Sequence, residues 1–237
     1  HCSTMTDPNA LLDTDFATLP QLVHAHALNQ PDAIAVADED GRITWAELDA
    51  AADRIAARLQ QDGVGPGQAT AIAGLNSVAQ VTVLLGTLRA GAIAGLITNS
   101  ATGEQMAAMV LDSGAQHLFL DEKAAESLSG QAYGAPKLIS MDDGAWGEPL
   151  SAWMAPVGTV PEPVEITPGT GFNIIYSSGT TGTPKGIVHA HEMRWQHIHR
   201  GAPAYGPTSV TLLSTPLYSN TTMASFLPAL GTGGTVV

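Results

Sequence analysis

Polar and apolar positions fall into short blocks whose period switches between two and about 3.6, the signatures of strands and helices. Ala33 to Ala37 alternates small and branched apolar residues, Asp38 to Gly41 is a turn cluster, and Arg42 to Thr44 resumes the strand pattern. This predicts a hairpin. Thr44-Trp45-Ala46-Glu47 has the form of a capping box, after which Leu48, Ala52, Ile55 and Leu59 recur at helical spacing until Gly63. Beyond the Gly65-Pro66-Gly67 turn, the pattern predicts a strand at Ala69–Ala73, a helix at Ser77–Ala90 and a strand at Ala92–Ile97. The run Val78 to Ile97 is long enough to cross a bilayer, but Arg89 and several glycines and threonines interrupt it. A buried helix followed by a buried strand is expected instead.

The rhythm then repeats. Thr102 with Gln105 caps a helix to about Ser113, His117 to Leu120 is a strand, a short helix follows, and Leu138 to Met141 is another strand. Alternation of this kind predicts an α/β fold with a largely parallel sheet flanked by helices. Around Pro156, Pro161, Pro163 and Pro168 the pattern stops, which divides the chain into a first α/β lobe at 5–166 and the start of a second at 167–237. His1 to Thr4, ahead of Met5, read as additions. Phe172 to Ser177 is a further strand, and the stretch after Lys185 is expected to enter a helix.

Composition narrows the partners. The 237 residues are 44% hydrophobic and 13% charged, which is too apolar for a disordered chain. The net charge of −13 disfavours nucleic acid and anionic membranes. One cysteine, Cys2, makes no intramolecular disulfide, so a reducing compartment, the cytoplasm, is expected. The charge is uneven: residues 168–237 hold one acidic and three basic residues and four of the eight histidines. That segment attracts anions that the rest of the surface repels.

The run Tyr176-Ser177-Ser178-Gly179-Thr180-Thr181-Gly182-Thr183-Pro184-Lys185-Gly186 holds three glycines, five Ser or Thr hydroxyls and one lysine. Glycines let backbone N–H groups turn inward around an anion, hydroxyls add donors without bulk, and lysine supplies a mobile charge for phosphate oxygens. Its place after an apolar strand suits a phosphate loop. Pro184 before Lys185 and Gly186 after it exclude the Walker A pattern.

This run resembles the phosphate-binding signature of the adenylate-forming superfamily, which includes acyl- and aryl-CoA synthetases, peptide-synthetase adenylation domains and luciferases. Ser177 stands where that family most often has threonine. Ile43-Thr44-Trp45-Ala46-Glu47-Leu48 is similar to the family's beginning, and Thr215-Pro216-Leu217-Tyr218 resembles the segment that lines its acyl pocket. The resemblance implies an ATP-dependent acid–thiol ligase: a carboxylic acid is adenylated with loss of pyrophosphate, and the acyl group passes to coenzyme A. It implies phosphate-binding roles for Ser177, Ser178, Gly179, Thr180, Thr181, Gly182, Thr183 and Lys185, with Thr181 and Lys185 acting in the first half-reaction and Mg²⁺ sharing the phosphate charge.

Tyr218, Ser219 and Thr221 are the implied acid-binding positions. Ser219 replaces the family's usual histidine, and Ser219 or Asn220 equally suits the N-cap of a helix. No metal site is expected at His189-Ala190-His191 or His197-Ile198-His199, since no carboxylate cluster completes a ligand set; His191 matches the family's common histidine near the loop. Arg194 and Arg200 are expected in solvent, and Trp45 and Trp195 are read equally as core or as cofactor contacts. The family's later Mg²⁺, ribose and lysine motifs match nothing here, so an incomplete, N-terminal portion, inactive alone, is expected. Two alternatives stay open: a non-catalytic nucleotide- or phosphate-binding module, and an adenylation domain that serves a carrier protein. Self-association into a homo-oligomer is also left open.

Overall fold

A computed structural model describes residues 6–177 and 184–237, with the Ser177 side chain excepted. Residues 1–4, Cys2 and the stretch Ser178–Thr183 therefore lie outside the described residues. Helix α1 (Pro8–Leu12) and α2 (Leu19–Asn29) precede the hairpin of β1 (Ile34–Ala37) and β2 (Arg42–Thr44). Then come α3 (Trp45–Gln61), β3 (Ala69–Ala73), α4 (Val78–Arg89), β4 (Ile93–Leu96), α5 (Gly103–Ser113), β5 (His117–Leu120), α6 (Glu122–Leu128) and β6 (Lys137–Ser140). The short β7 (Glu148–Pro149) and α7 (Leu150–Trp153) lead to the proline-rich stretch. Beyond it lie β8 (Gly171–Ser177), β9 (Lys185–Ala190), α8 (His191–Gly201), β10 (Val210–Thr211), α9 (Asn220–Gly231) and β11 (Thr235–Val236).

Two sheets form. One runs β7-β6-β5-β3-β4-β8-β9, parallel throughout except for β9, and the other runs β10-β11-β1-β2. The period-two pattern decides which core each side chain enters. Ile72, Phe119 and Phe172 join the α2–α3–α4–α9 core, whereas Ala71, Ala73, Leu118, Leu120, Ile174 and Tyr176 join the α5–α6 core on the other face. Each sheet takes strands from both sides of the proline-rich stretch.

Local chemistry sets the helix starts. The hydroxyls of Thr44 and Thr102 accept from the N3 amides of Glu47 and Gln105, whose side chains accept from the cap amides in return. The apolar run Val78–Ile97 is a buried helix and strand, and Arg89 is accommodated by Asp49 and Asp53 of α3. Where α3 crosses α4, Gly86 lies so close that a Cβ would collide with the Ile55 side chain.

Three expectations need correction or resolution. The stretch after Lys185 is a strand, because the β-branched Ile187 and Val188 pair with β8, and the helix begins only at His191. Arg194 is fully buried rather than solvated, its guanidinium donating to the side-chain amides of Asn173 and Asn220. Trp45 and Trp195 are core residues, at 0% and 2% exposure.

Candidate functional site

At the carboxyl ends of β4 and β8, where ligands of parallel sheets collect, lies a cavity of about 510 Å³. Thr98, Ser100 and Ala101 reach it from the segment after β4, and Gln105 and Met109 from α5. Ile175 and Tyr176 of β8 with Pro184 form a second wall. Tyr218, Ser219 and Asn220 form the third.

Hydrogen bonds hold these walls in place. Tyr176 Oη donates to the Met109 carbonyl at 3.0 Å, tying β8 to α5. Burial, reinforced by Asp112, raises the pKa of that phenol, so it remains a donor. Tyr218 Oη donates to Ser100 Oγ at 3.1 Å, closing the cavity between its first and third walls. Asn76 grips the backbone before Tyr218 from both sides: its Nδ2 donates to the Thr215 carbonyl at 2.9 Å and its Oδ1 accepts from the Leu217 amide at 3.0 Å. Ser219 is the N-cap of α9 and accepts from the Thr221 amide at 3.3 Å. Ser219 thus caps the helix and also lines the cavity.

Lys185 opens β9 opposite Ser177, at the described edge next to 178–183. Its side chain is exposed and has no ion-pair partner among the described residues. A free cation at the carboxyl end of a parallel sheet fits a polyphosphate, as does the nearly acid-free segment that carries it. A larger hollow of about 730 Å³ on the other side of β3 is lined by Asp38, Glu39, Asp40, Asp121, Asp142 and Asp143. Its charge would repel phosphate.

The sequence-predicted residues therefore divide. Tyr218 and Ser219 meet in the cavity, Lys185 stands at the margin of 178–183, and Ser178, Gly179, Thr180, Thr181, Gly182 and Thr183 lie outside the described residues. Thr221 is exposed on α9 and is not part of the cavity wall. Sequence reasoning missed Thr98, Ser100, Gln105 and Met109. The available signal was the segment between strand β4 and the Thr102 cap, which leaves the carboxyl edge of the sheet. His191 packs edge-on against Phe172 with ring centroids 5.0 Å apart, and burial pushes its pKa down to about 4. Among the described residues no three His, Cys, Asp or Glu side chains group as metal ligands.

Residues 23–237 match the family model described as AMP-binding enzyme. The chain belongs to this adenylate-forming family. It is 31% identical over 226 residues to phosphinothricin tripeptide synthetase PhsB of Streptomyces viridochromogenes, covering 94% of this chain and 18% of that protein. It is 33% identical over 175 residues to the fatty acid–[acyl-carrier-protein] ligase ScoC of Streptomyces coeruleorubidus, covering 73% of this chain and 33% of the relative. In three dimensions the chain superposes on a Rhodopseudomonas palustris protein described as a long-chain-fatty-acid CoA ligase. The TM-score is 0.85 at 22% identity, over 94% of this chain and 57% of the other. The chain thus spans under two thirds of the length of each of these proteins. No described helix is long and apolar enough to cross a membrane.

Proposed function

We propose that the protein is an ATP-dependent acid–thiol ligase that adenylates a carboxylic acid and passes the acyl group to coenzyme A. The observation that carries this reading is the cavity at the ends of β4 and β8, opening beside Lys185, which has no ion-pair partner among the described residues and stands at the margin of the glycine- and hydroxyl-rich stretch. In this reading Ser177 to Thr183 and Lys185 hold the β- and γ-phosphates of ATP, with Thr181 and Lys185 donating to charge that grows on the departing pyrophosphate. Tyr218 and Ser219 contact the acid, and Thr221, outside the cavity wall, holds Ser219 in place through its amide. Mg²⁺ supplies charge neutralisation on the phosphates when bound, and none of the described side chains is assigned to it. ATP and coenzyme A as substrates agree with a cytoplasmic setting.

A second reading replaces coenzyme A with the phosphopantetheine thiol of a carrier protein. It is favoured by the likeness to ScoC and to a peptide synthetase. Both readings share the first half-reaction, so one assay series tests them. Pyrophosphate exchange by the complete protein over a panel of fatty, aryl and amino acids should identify at least one acid that supports exchange. Thioester formation with coenzyme A, or with a phosphopantetheinylated carrier, then selects the acceptor. Tight ATP binding without exchange for any acid would instead favour a non-catalytic nucleotide-binding module.

A further inference from the structure

α8 and α9 pack together beside the cavity, and a polar group is enclosed between them and β8. At its centre is Arg194, 0% exposed. Its Nε donates to Asn173 Oδ1 at 3.0 Å, its Nη2 donates to Asn220 Oδ1 at 2.9 Å, and its Nη1 lies 3.5 Å from His197 Nδ1. All 22 acidic residues of the chain are described, and none of them pairs with this guanidinium. The nearby His189 and His197 are held below their ordinary pKa, first by burial and then by the charge of Arg194. The site is therefore a buried positive charge whose partners among the described residues are neutral dipoles, so negative charge held nearby is favoured.

Asn220 connects this charge to the cavity. A guanidinium has donors only, so the amide oxygen of Asn220 must face Arg194. The two Nδ2 hydrogens of Asn220, a cavity-lining and exposed residue, are thereby left for a ligand. Asn220 is also the first residue of the 12-residue α9, whose N-terminal amides favour negative charge at the same place. Thr98, on the facing wall, carries a buried hydroxyl without a partner among the described residues.

We propose that Arg194, acting through Asn220, makes this cavity selective for carboxylic acids that carry a second carboxylate on the acyl portion. Asn220 is the contact residue, and Arg194 is a positioning residue that sets its orientation and polarity. The inference rests on the reading of the cavity as an acid site and adds the class of acid.

The test compares adipate with hexanoate and glutamate with norvaline in the complete protein. Pyrophosphate exchange and ligand-observed NMR binding are both measured. The parent should prefer the diacid in at least one pair, and Asn220→Asp should lower the diacid-to-monoacid ratio roughly tenfold or more. Aspartate keeps an acceptor for Arg194 and turns the contact into an ion pair, so a thermal midpoint at or above the parent's accompanies the loss. Arg194→Met should lower the same ratio, and its melting curve reports whether it folds. A parent that prefers the monoacid in both pairs overturns the inference, as do equal losses for both acids in Asn220→Asp. If no acid supports exchange while NMR still shows the diacid preference, the ligase reading fails and the cavity assignment stands.

Discussion

His191 ties the stability of the chain to pH. It is 2% exposed, its Nε2 has no hydrogen-bond partner among the described residues, and burial lowers its pKa from 6.5 to about 4. Below pH 6.5 the unfolded chain takes up a proton that the folded chain refuses until about pH 4, so stability falls as pH drops through that window. Between pH 7.5 and pH 5 the linkage withdraws about 2 kcal/mol, from a shift of roughly 2.5 units at about 1.4 kcal/mol per unit, incompletely titrated at pH 5. His26, His189 and His197 are also depressed and act in the same direction, so the effect must be isolated by substitution. Urea unfolding of the parent and His191→Gln, followed by the fluorescence of the buried Trp195 and its fellows, gives both profiles. The parent should lose about 2 kcal/mol more than the variant between pH 7.5 and 5. Staying above pH 5 avoids Asp62 and Glu47, whose depressed carboxyls withdraw stability only at more acidic pH. Parallel profiles, within about 0.5 kcal/mol, would show that His191 accepts a proton in the folded state and would refute the burial argument.

Lys185→Ala and Thr181→Ala should each slow adenylation by about 2–4 kcal/mol in barrier, a loss visible in pyrophosphate exchange rather than in thiol transfer alone. Ser219→His should lower kcat/KM for bulky acids about ten- to a hundredfold while small acids change little, since added volume in a packed site costs about 1–3 kcal/mol. Because Ser219 also caps α9, the same variant should unfold about 1 kcal/mol more easily in urea, whereas Ser219→Thr should not. Gly86→Ala should destabilise the chain by about 1–3 kcal/mol, because its methyl group meets Ile55 at the α3–α4 crossing. A near-neutral urea midpoint would mean that the two helices can move apart.

What was legible in the sequence is what short-range chemistry encodes. The boxes Thr44/Glu47 and Thr102/Gln105 and the strands Ala69–Ala73 and His117–Leu120 depend on neighbours a few residues away, and they form as read. Lys185 to Ala190 was misread because hydrophobic period is ambiguous over six residues; its strand state depends on a partner, β8, brought alongside by the reversal of the chain. Arg194 was invisible for a related reason. Its partners Asn173 and Asn220 lie 21 and 26 residues away, and neither carries a charge that would announce a pairing. In the cavity, Tyr218 and Ser219 were found through a motif, while Thr98 and Ser100 belong to a segment with no chemical signature of its own and enter only through the strand order β3-β4-β8.

The smaller sheet places β11 between β1 and β10, with Thr235 Oγ1 donating to the carbonyl of Ile34, 201 residues earlier. At a synthesis rate of about 5–20 residues per second, roughly 10–40 s separate the emergence of Val36 from that of its partner Val236. Until then β1 and β2 are a two-stranded ribbon, marginal in water by itself and covered only where α3 and α4 pack on it. The parallel strands β3 to β6, whose connections are short, can assemble during that interval. The first strand made is thus the one that waits longest with an open edge.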